Sequence, residues 1–243
     1  MRILFILTVI LTFSAPAWAV TPVLIASQSA GSADSLTVTT SAMDSTGANF
    51  CWASFVELTI AGAFSDSKAN SWTEKTKYTS TTVATFSIRT FYVANPTVGS
   101  GHTVTVSGGG SAGFYTVNFR CYSGVANAPF DTQNGGTSAL SQTSYQVPSV
   151  SPSATTNLCI VSMTNAYAAP TGVSINSSFT DESAVTESAG NHFAFYTANK
   201  ITVGATESPT ISWTGAGEAT AQDSCFTNLS SSVPRGTLMG VLP

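Results

Sequence analysis

The sequence predicts an all-β protein: an antiparallel β-sandwich, immunoglobulin-like or jelly-roll-like, built from one unit present twice. Three observations lead there. Short apolar or alternating runs rich in Val, Thr, Phe and Tyr recur along the chain, bounded by Gly, Ser, Asn or Pro. No window of a dozen residues carries helical spacing. The pentapeptide Phe91-Tyr92-Val93-Ala94-Asn95 returns as Phe195-Tyr196-Thr197-Ala198-Asn199, and its flanks return with it. Asn49-Phe50-Cys51 corresponds to Asn157-Leu158-Cys159, Thr97-Val98-Gly99 to Thr202-Val203-Gly204, and Cys121 to Cys225. Such self-similarity marks one supersecondary unit repeated.

In chain order, residues 1–19 read as a secretory signal peptide. Met1-Arg2 is a short basic start, Ile3 to Phe13 an apolar run, and Ala17-Trp18-Ala19 a small-x-small cleavage site. The apolar run is too short to span a bilayer. A first repeat over 20–133 carries strand-like runs at Ser35–Thr40, Asn49–Leu58, Ala84–Val93, Thr103–Ser107 and Phe114–Ser123. A second over 134–243 carries them at Ser144–Val150, Asn157–Met163, Phe193–Ala198, Pro209–Trp213 and Ala219–Thr227. Asn134-Gly135-Gly136-Thr137-Ser138 reads as the junction, and is too short for a long tether, so the halves are expected to pack together. Pattern alone leaves open whether they form two sandwiches or one with pseudo-twofold symmetry.

Charged residues are 8 % of the chain, against about a quarter in ordinary globular proteins. The full chain has net charge −4, and loss of Arg2 with the leader makes it more negative. Clustered Lys and Arg, which nucleic acids and anionic membranes require, are missing, so neither is expected as a partner, nor is membrane insertion of the mature chain. The four cysteines fall at matching places in the two units. In an exported chain this favours disulfides, and the repeat favours Cys51–Cys121 with Cys159–Cys225 over the other two connectivities. The alternative is four buried free thiols.

Chemistry is harder to find. Gly109-Gly110-Ser111-Ala112-Gly113 has the form of a nucleophile elbow but lies in a glycine-rich hairpin with no helix behind it. Ser65-Asp66-Ser67-Lys68 has a Ser-x-x-Lys form without its companion motifs, and reads as a solvated loop. The two histidines, His102 and His192, do not correspond in the repeat and read as strand-flanking. A carboxylate pair for glycoside hydrolysis would draw on Glu57 or Asp131. Glu57 shares strand parity with Cys51, Ala53 and Phe55. No cofactor is implied. Ca²⁺ is the one ion considered, with Asp66 and Asn70 in one loop and Asp181, Glu182 and Glu187 in its counterpart as oxygen ligands. Trp72, Tyr78, Tyr145 and Tyr167 lie in polar, turn-like surroundings and are the candidate ligand-stacking rings, with Asp131 beside them, whereas Trp52 and Trp213 read as core.

Arg120-Cys121-Tyr122-Ser123-Gly124-Val125, followed by Pro129-Phe130-Asp131, resembles a loose set of uncharacterised Ser/Thr/Gly-rich β-sandwich proteins of bacteria, phages and environmental sequences. Asp66 to Trp72 and Tyr92 to Asn95 carry the same likeness. The resemblance implies the fold and no activity. In the second unit Phe226-Thr227-Asn228 stands where Tyr-Ser-Gly would, and the Pro-Phe-Asp loop is missing, so a site built there would exist once. The sequence therefore leads to the expectation of a secreted, non-catalytic surface, adhesion or virion-associated binding module, directed at a glycan or a cell-surface protein. The alternatives are a carboxylate-dependent polysaccharide hydrolase and a purely structural assembly subunit.

Overall fold

Cys51 and Cys121 stand directly opposite each other on neighbouring antiparallel strands, and so do Cys159 and Cys225. Both pairs are disulfides, as the repeat predicted, and no cysteine is free among the described residues. The computed structural model describes residues 18–58, 62–80, 86–108, 113–153, 156–166, 171–187 and 193–231, and these contain strands and no helix.

The first unit runs through β2 (Val23–Ser35), β3 (Thr37–Thr39), β4 (Phe50–Leu58), β5 (Ala63–Asp66), β6 (Thr73–Glu74), β7 (Tyr78–Thr79), β8 (Phe86–Ala94), β9 (Val104–Ser107) and β10 (Gly113–Ser123). The second runs through β11 (Val125–Thr137), β12 (Gln142–Gln146), β13 (Asn157–Ala166), β14 (Thr171–Ile175), β15 (Thr180–Glu187), β16 (Phe193–Thr202) and β17 (Thr210–Asn228). Two short strands, β1 (Trp18–Ala19) and β18 (Ser230–Ser231), pair with each other and close the ends.

The large sheet of the first unit has order β2-β10-β4-β8-β6, with β7 also on β8, and its small sheet has order β3-β9-β5. The second unit repeats both: β11-β17-β13-β16-β15, and β12 and β14 on either side of residues 210–214 of β17. Strand β17 thus serves both sheets. It passes from one to the other after Gly217, just beyond Gly215, whose φ of +95° a Cβ would oppose. In the first unit, first strand beside last in one sheet and second beside last but one in the other is the nested Greek-key order of a jelly roll.

Alternation along each strand sorts the side chains into layers. Cys51, Ala53, Phe55, Phe91, Val93, Val117 and Phe119 face the small sheet of their own unit, where Val38, Val104 and Val106 meet them. Cys159, Val161, Met163, Tyr196 and Ala198 do the same against Val147, Ile211 and Trp213. The opposite faces of the two large sheets pack on each other through Phe50, Trp52, Tyr122, Leu158, Ile160 and Phe226. The result is four layers with the two large sheets in the middle.

Two expectations are corrected. The pentapeptide copies do not occupy equivalent places. Cys51 pairs with Val93, inside the first copy, while Cys159 pairs with Lys200, just beyond the second. The copies are displaced by an odd number of residues, which turns each side chain to the other face. Phe91 consequently faces its own unit's small sheet, and Phe195 faces the partner sheet. The stretch Asn134 to Thr137, expected as a junction loop, is the end of strand β11, and the chain crosses between units at Gly124. A two-glycine step is tolerated there because β11 is an edge strand.

Candidate functional site

The densest polar constellation in the first unit lies beside its disulfide. Backbone pairing of Met43 with His102 brings the 44–47 turn against the segment 97–102. His102 Nδ1 then lies 2.8 Å from Ser45 Oγ, and His102 Nε2 lies 3.0 Å from Asp66 Oδ2. Burial alone would raise the Asp66 carboxyl, but hydrogen bonds from His102 and Asn70 outweigh it and hold it down at about 2. An ionised Asp66 can only accept, so Nε2 carries a proton towards it, while the Ser45 hydroxyl lies between Nδ1 and the Gly99 carbonyl.

Hydroxyl, imidazole and carboxylate in line are the parts of a nucleophile–base–orienter set. Here they are sealed. Ser45 and His102 are fully buried, the Asp66 side chain is too, and the Phe119 ring lies 4.8 Å from the imidazole. Ser45 Oγ also accepts from Gly99 N at 3.1 Å. The set ties three loops together around Cys51–Cys121 and leaves no approach for an acyl group. Its members come from three distant segments; Asp66 and His102 stood out singly in the sequence, and Ser45 did not.

The expected Ca²⁺ ligands of that loop are part of the same tie. Asn70 N and Nδ2 donate to the two Asp66 oxygens at 2.9 and 2.6 Å, and Asn70 Oδ1 accepts from Thr97 N. Asp181 and Glu182 lie on β15, and their side chains are outside the described residues.

Glu57 does point to the apolar face, as its parity predicts, and is 3 % exposed. It is held by Arg89 Nη1 at 3.3 Å, Lys77 Nζ at 3.5 Å and the Gly62 amide at 2.9 Å. Arg89 grips Glu74 at the same time, at 2.7 and 2.8 Å, which raises the guanidinium pKa further. Asp131 is bound by the Ser153 amide and hydroxyl. Both carboxylates are engaged by neighbouring groups of the fold. Lys68 of the Ser-x-x-Lys stretch donates to the Ser100 carbonyl at 2.8 Å.

Three of the four stacking candidates, Trp72, Tyr78 and Tyr145, are among the described residues, and each is part-buried. Trp72 is half-buried and edge-on to Phe64 and Phe119, at 5.1 and 6.0 Å, as part of the first unit's core. Tyr145 packs on the second unit's core. A Cβ at Gly135 would meet the Tyr78 ring and one at Gly136 the Tyr145 hydroxyl, so the two tyrosines lie on opposite faces of the β11 edge. Burial raises the pKa of both. Tyr167, His192 and Ser111 lie outside the described residues.

Around the second disulfide the residues differ. Glu207 bridges Val150 as His102 bridges Met43. Glu207 accepts from Lys200 Nζ at 2.8 Å and from Thr202 Oγ1 at 2.6 Å. Asp223 is fully buried, and burial, then the Glu207 charge, push its carboxyl up to about 7. Two disulfides fit an oxidising, extracytoplasmic compartment. Among the described residues no helix is long and apolar enough to cross a membrane. No family model, no curated protein and no solved structure matches the chain.

Proposed function

We propose that this chain is an exported, non-catalytic surface or adhesion module, virion-associated or cell-surface, whose partner is a glycan or a surface protein. The observation that carries this reading is how the reactive side chains are used. Ser45, His102, Asp66, Glu57, Glu74, Asp131 and Glu207 each serve an internal hydrogen bond or ion pair. Those bonds and two disulfides stabilise a scaffold. The export signal in residues 1–19 and the low charge support the same reading.

The test is a paired assay on the purified mature chain. Binding to isolated cell envelopes or to a glycan array, with no release of sugars or peptides from the same materials, is the expected result. Turnover of any of them would refute the reading. Sequencing the secreted product should find Val20 at its start.

The structural-subunit reading has one observation in its favour. Among the described residues strand β2 is an edge strand paired with β10, and it has no charged residue from Val23 to Ala33. Unguarded edges of this length pair with other chains. Multimers of the pure protein, dispersed by a Lys placed at Ser27, would favour that reading.

A further inference from the structure

Three positions around the disulfides correspond between the units and carry opposite chemistry. Val93 stands opposite Cys51, and Lys200 stands opposite Cys159. His102 and Glu207 make the corresponding bridges. Phe119 and Asp223 each precede the last-strand cysteine by two residues. The first unit builds its core with Val, His and Phe. The second places a part-buried Lys and a buried Glu and Asp there, although the fold does not require it. Each buried ion costs several kcal/mol, roughly, before pairing.

Lys200 and Glu207 are in direct contact, and Asp223 stands on the next row of the same sheet face. Lys200 Nζ touches Glu207 Oε2 at 2.8 Å, Thr202 Oγ1 holds Oε1 at 2.6 Å, and Glu207 is 4 % exposed. The Phe179 ring, centred 5.7 Å from Nζ, covers the lysine. Asp223 lies on the same face of the sheet, fully buried, with Oδ1 3.9 Å from Cys225 Sγ and no hydrogen-bond partner for Oδ2. Burial keeps this carboxyl neutral through most of the acidic range.

We propose that Lys200 and Glu207 condense into an intramolecular isopeptide bond, with Asp223 as the proton carrier. Contact between an amine and a carboxyl group replaces a bimolecular encounter, worth an effective concentration on the order of 10⁵ M or more when alignment is good. A water-poor core favours expulsion of the water formed. The Lys200 ammonium first passes a proton to the Glu207 carboxylate along the existing hydrogen bond, leaving a free amine and a neutral acid. The Nζ lone pair attacks Cδ, and the carbonyl π pair moves onto oxygen. Asp223 gives its proton to the departing hydroxyl, the C–O bond breaks and water leaves. The Asp223 carboxylate then takes the surplus proton from Nζ. One ammonium and one carboxylate become one amide and one water, nothing is oxidised, and a part-buried and a buried charge disappear together.

Intact-mass spectrometry of the reduced, denatured wild-type chain tests this, since an amide survives both treatments. The expected mass is one water below that of the sequence, with fragmentation placing the loss between residues 200 and 207. Lys200→Met should show its full mass, and Glu207→Gln should lose one ammonia instead. A wild-type chain of full mass after long incubation in mildly acidic buffer, or a water lost elsewhere, overturns the proposal. The wild-type mass decides even if a variant fails to fold.

Discussion

The hydroxyls of Ser54 and Ser162 meet at 3.3 Å between the two large sheets, joining the residues that lie three places beyond Cys51 and Cys159 in their units. For two serines to touch, the sheets must come closer than the usual ~10 Å of face-to-face packing. The contact has a direction. Ser54 donates to the Arg89 carbonyl at 2.9 Å, so Ser162 donates to Ser54 and itself accepts from Gln222 Nε2 at 2.7 Å. Asn118 donating to Thr197 at 2.6 Å is a second polar tie across the same interface.

Ser162→Ala removes a donor to Ser54 and strips buried Gln222 of an acceptor, which costs about 1–3 kcal/mol. The double change with Ser54→Ala should cost less than the sum of the two single changes by at least ~0.5 kcal/mol. Urea unfolding of the four proteins measures this, and strict additivity would show that the contact is not made.

Asp223 sets a pH dependence of unusual sign. Its folded pKa, about 7, lies above the ordinary 3.8, so the folded chain binds the extra proton between those values. This contribution to stability is complete below pH 3.8 and is lost as pH rises towards 7, a decline of roughly 4 kcal/mol. Asp66 runs the other way. With its carboxyl held at about 2, its contribution is present above 3.8 and is lost as pH falls through 2. Melting temperature followed against pH should be highest near the ordinary carboxylate value, and Asp223→Asn should flatten the fall above it.

Arg89 is worth far more than its neighbour Lys77. Arg89→Met would leave Glu57, 3 % exposed, with the Gly62 amide and a single charged partner, a half-exposed lysine at 3.5 Å. Removing the principal partner of a buried charge costs about 3–5 kcal/mol. Lys77→Met, at the solvent side, should cost under ~1 kcal/mol. Denaturant midpoints separate the two.

Glycine matters at two positions beside the crossing between units. Gly124 has φ +81°, and a Cβ there would lie 2.9 Å from the Thr21 carbonyl. At Gly135 a Cβ would lie 2.6 Å from the Ala221 carbonyl, a backbone atom that cannot move aside. Alanine at either should cost more than ~1 kcal/mol. Gly136→Ala meets only the tip of Tyr145 and should cost less. Thermal unfolding of the three variants ranks them.

The strands rich in Val, Phe and Tyr were legible in the sequence, and so were the duplication and both disulfides. Strands β2 and β11 were not, because Ala26 to Gly31 and Gln133 to Gly136 have low intrinsic strand preference and are held by pairing with β10 and β17. The FYxAN copies misled on register, since a short likeness can slip by three residues while paired cysteines cannot. Trp72 looked exposed because its neighbours are polar, yet its ring closes the core beside Phe64. The Ser45–His102–Asp66 tie joins segments that only the fold brings together. Its burial, which decides what it can do, has no signature in spacing.

Scanning calorimetry of the oxidised mature chain tests most directly whether the two units form one body through Phe50, Trp52, Leu158, Ile160 and Phe226. A single transition, with calorimetric and van't Hoff enthalpies equal, is the expected result. Two separable transitions, each the size of one unit, would contradict it.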